Sequence, residues 1–510
     1  MDEAAEKISS VNASAATDVG TRPPDPVPGP GARGAEPAAY HWAFLGAAIL
    51  VMGLAMGALE AASFRQAGAP RHFNDSRGYL RVSSAPLLSR ELWMGDRPPV
   101  APLLYKLCGQ DEATIVRVQS GLSVACWLSL AVALGVTFES RAMGAAAAAA
   151  VGAFSLVVPV NQWNWVLLSE SLSLSLLALV VAASLLLALA IRQSGRPAAA
   201  WMWLWGLSCA LFALVRDANV YVLAAGWGVL ACWTLIAAFG RRRPGVSPAR
   251  GGVVACLGVL AGVVLGAQLM ASRSDRWELP FLNVLLRRVL PDEETYALFA
   301  GRYGMPRNPL LERFAGLYGW NGSGDGRSVM VRVLGDDPQL ADVRGWIGGD
   351  GKSAYQRFLL LDRPGHALRA ATSAFAKQVA GGRGAARYGT GAGVTPWTRA
   401  LSRVLYPQLS WPLASSLLVV AIAALLAVAS PAARVAAVGA MLLVGSAWVH
   451  AFVSFHGDTS NVDRHLMPCG VQVRLGGLFL AFALADRTVA MARRWVPARR
   501  APASAEADPP

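Results

Sequence analysis

The residues best suited to chemistry in this sequence are charged and polar side chains at the ends of long apolar runs. Glu170, Arg216 and Arg464 each lie within a few residues of such a run, and Asp75 lies in the loop that follows the first one. A charged side chain at the centre of a membrane helix costs roughly 2.5–3.5 kcal/mol, so ionisable residues there usually have a partner or a function. Carboxylates can act as general bases, and arginine binds phosphate oxygens well. Together they predict a site for a lipid phosphate.

The same ends of the apolar runs carry five further candidates: Tyr79, Arg97, Lys106, Asp217 and His465. Simpler structural interpretations exist as well. Asp75 can be an ordinary loop carboxylate, Glu170 can cap a helix, and Arg216 and Asp217 can neutralise each other. Arg464 and His465 can extend from the membrane towards the interface.

The composition indicates the class of protein that positions these residues. Of the 510 residues, 54% are hydrophobic and only 15% are charged. A soluble domain usually carries about 25% charged residues, so several soluble globules are excluded, and the apolar fraction also excludes a disordered chain. The net charge of +14 comes almost entirely from arginine, and no nucleic-acid-binding motif surrounds these residues. The sequence therefore predicts an all-α polytopic membrane protein that binds membrane lipids and no nucleic acid.

About ten apolar runs are long enough to cross a bilayer, since a spanning helix needs about 20 residues. The tenth run contains Arg474, which we expect to pair with a buried carboxylate. The predicted spans are Pro37–Leu59, Val118–Phe138, Ala142–Ser169, Ser171–Ile191, Pro197–Val215, Ala218–Gly240, Gly251–Ser272, Val404–Ala433, Val435–Gly457 and Met467–Ala485.

The short basic loops predict the orientation. Arg241–Arg243 and the arginines of the carboxyl-terminal tail are the densest short basic clusters, and such clusters mark the cytoplasmic side. We therefore expect a multi-pass protein of the plasma (inner) membrane with both termini in the cytoplasm. All the candidate site residues then lie on the extracytoplasmic side.

Composition also divides the chain into segments. Residues 1–40 are rich in Ala, Pro and Gly and predict a disordered cytoplasmic tail. The segment 273–403 is predicted to be a mostly helical extracytoplasmic domain, because apolar residues recur at helical spacing around Phe281–Leu290 and Tyr355–Leu368. The remaining segments are a transmembrane module (41–272) with a first outer loop (60–117), the last transmembrane helices (404–486) and a basic cytoplasmic tail (487–510).

The order of the polar motifs resembles the GT-C superfamily of polytopic glycosyltransferases. Named relatives are the protein O-mannosyltransferases, lipid A aminoarabinose transferase and the bacterial RgtA-like enzymes. The resemblance covers about 41–240 and 404–486 but not 273–403. It rests on the segments Asp75–Tyr79, Arg97–Leu103, Leu168–Leu172, Leu214–Asn219 and Arg464–Pro468.

This sequence departs from the pattern of that superfamily at three positions. Asp217 stands where the superfamily usually has proline after the arginine, and His465 stands where it has tyrosine. Asp75 is not followed by a second acid, which leaves metal dependence open. Some members of the superfamily use a divalent cation and others do not. If this chain uses one (Mg²⁺ or Mn²⁺), Asp75 and Glu170 are the predicted ligands.

The resemblance implies an inverting-type transfer of a sugar from a polyprenyl-phosphate donor to a glycan, lipid or protein acceptor. Asp75 is then the expected general base. Arg216, Arg464 and His465 would stabilise the leaving phosphate, together with Arg97 and Lys106 of the first loop. Glu170 would bind a sugar hydroxyl or orient Arg216, and Tyr79 and Asp217 are further candidate substrate contacts.

Two other functions remain open. A flippase or transporter for a lipid-linked substrate also needs charged residues in the membrane, but usually near its midplane on broken helices. An O-antigen ligase or polymerase would place its catalytic residues in the large outer segment, where Asp350, Lys352 and His366 are the candidates. The position of inactivating substitutions separates these functions.

Overall fold

The computed structural model describes residues 38–138, 140–194, 199–240, 248–322, 327–335, 337–381, 394–427 and 431–495. These residues form helices and connecting segments, and no β-strand occurs among them. Most of both predicted tails and the basic loop at Arg241–Arg243 lie outside the described residues. From Ile49 onward the described chain forms one compact unit.

The amino-terminal half contains eleven helices among its described residues. Three of them, α2 to α4, are short and lie in the connection between α1 and α5. Their bounds are α1 Ala38–Ala67, α2 Ser76–Ser84, α3 Arg90–Met94, α4 Val100–Leu107, α5 Glu112–Gly135, α6 Arg141–Ser155, α7 Val158–Asn161, α8 Glu170–Ser194, α9 Ala199–Val215, α10 Asp217–Gly240 and α11 Pro248–Ser272.

The second half begins with short helices and ends with long apolar ones. The α12, α16 and α17 helices each continue into a wider π-type turn, at Leu285–Val289, Ile347–Gly351 and Phe358–Asp362. A 3₁₀ turn, Pro338–Leu340, precedes α16. The bounds are α12 Glu278–Val284, α13 Glu293–Arg302, α14 Pro309–Glu312, α15 Val329–Leu334, α16 Ala341–Trp346, α17 Lys352–Arg357, α18 Pro364–Val379, α19 Pro396–Leu405, α20 Trp411–Ala427, α21 Pro431–Gly457 and α22 Val462–Trp495.

Six helices of the described chain are long and apolar enough to cross a membrane, which confirms a helical membrane protein. Three shorter apolar helices accompany them: Ala199–Val215, Asp217–Cys232 and Pro412–Leu425. The six longer segments are Ala47–Ala67, Glu112–Gly135, Glu170–Ile191, Gly251–Ser272, Ala433–Gly457 and Val462–Val489.

Two predicted span boundaries are wrong. The first helix continues to Ala67, so Glu60 belongs to α1 and not to the outer loop. The predicted span 142–169 is not one helix, because α6 ends at Ser155. Pro159 has no N–H to extend the hydrogen bonds of α6, and it lies instead in the first turn of α7, where that N–H is not needed.

The two largest hydrophobic cores of the described structure lie in the membrane helices and in the segment from α12 to α18. In the membrane helices, large buried side chains such as Trp127, Phe154 and Phe212 fill the space between α5, α6, α8 and α9. The segment from α12 to α18 has a core of its own, which includes Phe299 and Trp346. The prediction that this segment is mostly helical is therefore confirmed.

Arg474 has other partners than the expected carboxylate. Its guanidinium donates hydrogen bonds to the backbone carbonyls of Val379 at 2.7 Å, Pro407 at 2.9 Å and Gly470 at 3.0 Å. It also lies 3.8 Å from the centre of the Tyr406 ring. This buried cation joins α18, α22 and the connection between α19 and α20.

Candidate functional site

Five predicted residues meet at one end of the membrane helices and form an alternating chain of charges, which we call the ion network. Arg464 is at its centre, with Nη2 2.5 Å from Asp75 Oδ2 and Nε 3.3 Å from Glu170 Oε1. Arg97 Nη2 lies 2.9 Å from Asp75 Oδ1, and Arg216 Nη1 lies 3.3 Å from Glu170 Oε1. Residues separated by almost 400 positions are thus in direct contact.

Asp75 directs its carboxylate into this network and not towards its own helix. It immediately precedes α2, where an aspartate usually accepts a hydrogen bond from a backbone N–H of the first turn. No such bond forms, because the arginines occupy both carboxylate oxygens. Burial raises the pKa of Asp75, but Arg464 and Arg97 outweigh it and lower that pKa to about 2. The carboxylate is therefore ionised at neutral pH.

Glu170 is fixed by its place at the start of α8. A helix amino terminus carries partial positive charge, which favours a carboxylate there. The preceding residue, Ser169, accepts a hydrogen bond from the Tyr79 hydroxyl at 2.9 Å. Backbone hydrogen bonds between Arg71 and the segment before α8 hold the first loop against it. Both acids of the ion network are therefore positioned by the same contact between loops.

Arg216 lies in the single-residue break between α9 and α10 and connects the network to His465. Its Nη2 is 2.7 Å from His465 Nδ1. Because arginine only donates, Nδ1 accepts and the imidazole proton is on Nε2. That nitrogen faces Asp458 Oδ2 at 3.8 Å. Asn219 holds the break in place by hydrogen bonds to Ser173 of α8 and to the Phe212 carbonyl.

Arg97 reaches Asp75 across a glycine. A Cβ at Gly78 would lie 2.8 Å from Arg97 Nε, so only glycine leaves room for the guanidinium. The same guanidinium lies 5.2 Å from the centre of the Tyr79 ring, which supports it by a cation–π contact. Tyr79 thus contacts both Arg97 and Ser169 at the edge of the network.

The network leaves buried N–H groups without an acceptor in the part of the chain that the structure describes. They are Nε of Arg97, Nη1 of Arg216 and Nε of Arg464. The latter two are close to Glu170 but not in hydrogen-bond geometry. Three guanidinium groups face two carboxylates, so one positive charge is in excess. A buried donor without an acceptor is costly, and an anion would satisfy these groups.

Two predicted substrate contacts lie elsewhere. Lys106 does not join the network, because its ammonium donates to the carbonyls of Ala85 at 2.8 Å and Ser83 at 3.3 Å. It therefore neutralises the carboxyl end of α2. Asp217 pairs with Arg276 at 2.8 Å and not with the adjacent Arg216.

The contacts of Asp75 and Glu170 do not fit a metal site. Their carboxylates share the guanidinium of Arg464, so a cation of the chain itself occupies the position between them. Among the described residues, no group of three His, Cys, Asp or Glu side chains could hold a metal ion. Mg²⁺ and Ca²⁺ need several oxygen ligands, which these residues do not supply.

A second polar cluster is formed by residues outside the predicted site. Glu60 Oε1 accepts hydrogen bonds from Asn161 at 2.5 Å and Asn164 at 2.8 Å, and Glu60 is buried. The buried amide of Gln162 makes no hydrogen bond within the described chain. Asn164 Oδ1 accepts from the hydroxyl of Ser171, the residue after Glu170. The polar residues Asn161, Gln162 and Asn164 are conspicuous in the sequence within the predicted span 142–169, but nothing there indicates Glu60 as their partner.

Comparisons with models of protein families, with characterised proteins and with solved structures found no match to this chain.

Proposed function

We propose that this protein is a membrane glycosyltransferase that moves a sugar from a polyprenyl-phosphate donor to an acceptor hydroxyl. The observation that carries the proposal is the position of Arg464 between Asp75 and Glu170, together with three buried guanidinium N–H groups that make no hydrogen bond in the described structure. The site combines a carboxylate that can take a proton with cations that can stabilise a leaving phosphate. Both are needed for this reaction, and both come from the motifs that resemble the GT-C superfamily.

In the proposed reaction, the acceptor oxygen attacks the anomeric carbon of the sugar. The new carbon–oxygen bond forms as the bond between the anomeric carbon and the phosphate oxygen breaks. The acceptor proton passes to the Asp75 carboxylate, and the electron pair of the broken bond remains on the phosphate. Arg464 and Arg216 then stabilise the added negative charge, with His465 holding Arg216 in place.

The ion pairs of Asp75 determine how strong a base its carboxylate is. A carboxylate with a pKa of about 2 is a weak base. A donor phosphate bound by Arg464 and Arg97 would compete with Asp75 for both guanidinium groups. Removing these cations from Asp75 raises its pKa, so donor binding itself would activate the base.

We further propose a GT-C-like arrangement with about ten spans and the ion network on the extracytoplasmic face. Support comes from helix direction, since α8, α10 and α22 all begin at the network and α9 and α21 end beside it. The basic segment Arg241–Arg243 follows α10 and would then be cytoplasmic, in agreement with the positive-inside rule.

The test uses cells from which the gene for this chain is deleted. We expect a glycosylated polyprenyl phosphate to accumulate, which mass spectrometry of the lipid extract detects. The wild-type chain should clear it, whereas Asp75→Asn should not, although the variant inserts and folds. Asp96→Asn is the matched control, because Asp96 lies in the same loop but pairs with Arg81 at the surface.

Clearance of the lipid by Asp75→Asn would refute the role of Asp75 as the base. Purified protein in proteoliposomes tests the flippase alternative. Movement of the lipid-linked sugar across the bilayer without formation of a glycosylated product would refute the transferase. Loss of clearance only on substitution of Asp350 or His366 would favour a ligase.

A further inference from the structure

A second group of cations lies next to the ion network. Arg276 lies in the connection between α11 and α12, and its Nη2 is 2.8 Å from Asp217 Oδ1. Asp217 follows Arg216 in the chain, so the two cation groups meet at adjacent residues. Lys352 also lies near, with its ammonium 5.4 Å from the centre of the Trp277 ring. We call Arg276, Lys352 and Asp217 the second cation centre.

Arg276 has more donor capacity than its one partner uses. Its side chain is only 4% exposed, and its Nε and Nη1 make no hydrogen bond within the described part of the chain. Asp217, by contrast, is 45% exposed and can turn away from Arg276. An incoming anion can therefore replace the Asp217 carboxylate and satisfy the remaining N–H groups as well.

The charge of this centre repeats that of the ion network. Two cations face one carboxylate, so one positive charge is again in excess. Burial lowers the pKa of Lys352, while the nearby Asp217 raises it and Arg276 lowers it further. Lys352 thus interacts electrostatically with both Asp217 and Arg276. Each of the two centres thus carries one excess positive charge, which can be neutralised by one phosphate group.

Resting on the proposed function, we infer that the donor carries two phosphate groups and that the second cation centre binds the phosphate distal to the sugar. The phosphate attached to the sugar then lies at Arg464 and Arg216, beside the general base. The other phosphate lies at Arg276 and Lys352. A lipid monophosphate would use only the first centre.

The inference is tested with two defined probes, farnesyl monophosphate and farnesyl diphosphate, on the full chain in lipid nanodiscs. We expect the wild-type protein to bind the diphosphate at least tenfold more tightly. Arg276→Gln and Lys352→Met should each reduce this preference severalfold and leave the affinity for the monophosphate unchanged. Arg302→Gln is the matched control, because Arg302 lies in the same outer segment and pairs with Asp362 at the surface.

The outcomes separate the inference from the proposed function. Equal binding of both probes by the wild-type protein, or an unchanged preference in both variants, would overturn the second centre alone. Failure of both probes to bind, or monophosphate binding that does not change in Arg464→Gln, would refute the proposed function as well. Lys352→Met keeps the test valid if Arg276→Gln does not fold, because Lys352 is only partly buried.

Discussion

At the scale of single residues, Arg464 determines what the acids of the site can do. It contacts Asp75 and Glu170 together, so neither carboxylate is free to bind a cation from solution. A lysine could not replace it, since its single ammonium does not offer two separated donors in one plane. The site therefore depends on guanidinium geometry as well as on charge.

Gly78 leaves the space through which Arg97, the third cation of the ion network, reaches Asp75. We expect Gly78→Ala to displace the Arg97 guanidinium from Asp75, because the added Cβ would lie 2.8 Å from Arg97 Nε. Affinity for farnesyl monophosphate in nanodiscs should fall about three- to tenfold, the size expected for one weakened charged hydrogen bond. The thermal unfolding midpoint should change little, since the displaced atoms end a flexible side chain. Gly301→Ala, where a Cβ meets nothing within 4 Å, should affect neither quantity.

The lowered pKa of Asp75 predicts a pH dependence of stability. A carboxyl whose pKa is lower in the folded state stabilises the fold above its unfolded pKa of about 3.9. This contribution, about 2 kcal/mol, is lost as the pH falls from about 4 to about 2. Asp75→Asn should lower stability at pH 7 and flatten the decline, as measured by unfolding in detergent. A decline of equal steepness in Asp75→Asn would contradict the assignment, and the exposed Asp96→Asn serves as control.

The residue types predicted several of the side chains that meet in the ion network. Charged residues beside apolar runs usually have a partner or a function. This rule identified four residues of the network: Asp75, Glu170, Arg216 and Arg464. Lys106 satisfied the same rule, but it caps a helix through backbone carbonyls, and such contacts leave no signal in the sequence. Glu60 was missed because the predicted first span ends at Leu59, whereas α1 continues to Ala67.

At the scale of elements, the position of the site depends on where helices stop. Arg216 occupies the break between α9 and α10, and the irregular segment before α8 carries the Ser169–Glu170 pair. Hydropathy alone could not predict these breaks, because apolar residues continue through 142–169. Pro159 and the polar residues Asn161, Gln162 and Asn164 lie in this stretch, after α6 has ended at Ser155.

The connection of α5 to α6 brings their backbones into contact at two glycines. A Cβ on Gly144 would lie 2.4 Å from the carbonyl oxygen of Gly135, a backbone atom that cannot easily move. We expect Gly144→Ala to destabilise the protein by about 1–3 kcal/mol, the usual cost of overpacking. Gly121→Ala in α5 should be nearly neutral, because nothing lies within 4 Å of its Cβ. Similar unfolding midpoints for the two variants in detergent would contradict this crossing.

At the scale of the whole molecule, the helical segment that begins at α12 is attached to the turn before α22, the helix whose first residues include Arg464 and His465. Arg288 donates to the Phe455 carbonyl at 2.7 Å, and Thr459 donates to the Asn283 carbonyl at 3.0 Å. Burial raises the pKa of Asp458 in this turn, although hydrogen bonds from Ser460 and Asn283 oppose it. The segment thus contributes to the site through its packing, which the resemblance could not predict because it does not extend over 273–403.

The orientation in the membrane is a prediction for the whole molecule. The 24 residues of α10 extend about 36 Å from the network, enough to cross the hydrocarbon core. We therefore predict that Arg241–Arg243, which follow α10 in the sequence, lie on the side opposite to the ion network. Leu88 and Leu361 are 93% and 73% exposed on the side of the network, and neither contributes to it.

We therefore expect cysteines introduced at Leu88 and Leu361 to react with a membrane-impermeant maleimide in intact cells. A cysteine introduced at Gly245 should react only after the membrane is permeabilised. The native cysteines are replaced by serine or alanine beforehand, and lipid clearance by that background shows that it still functions. Reaction of Gly245→Cys in intact cells, with protection of Leu88→Cys, would reverse the orientation. A cytoplasmic ion network would then face nucleotide-linked donors, and the extracytoplasmic transferase would be refuted with it.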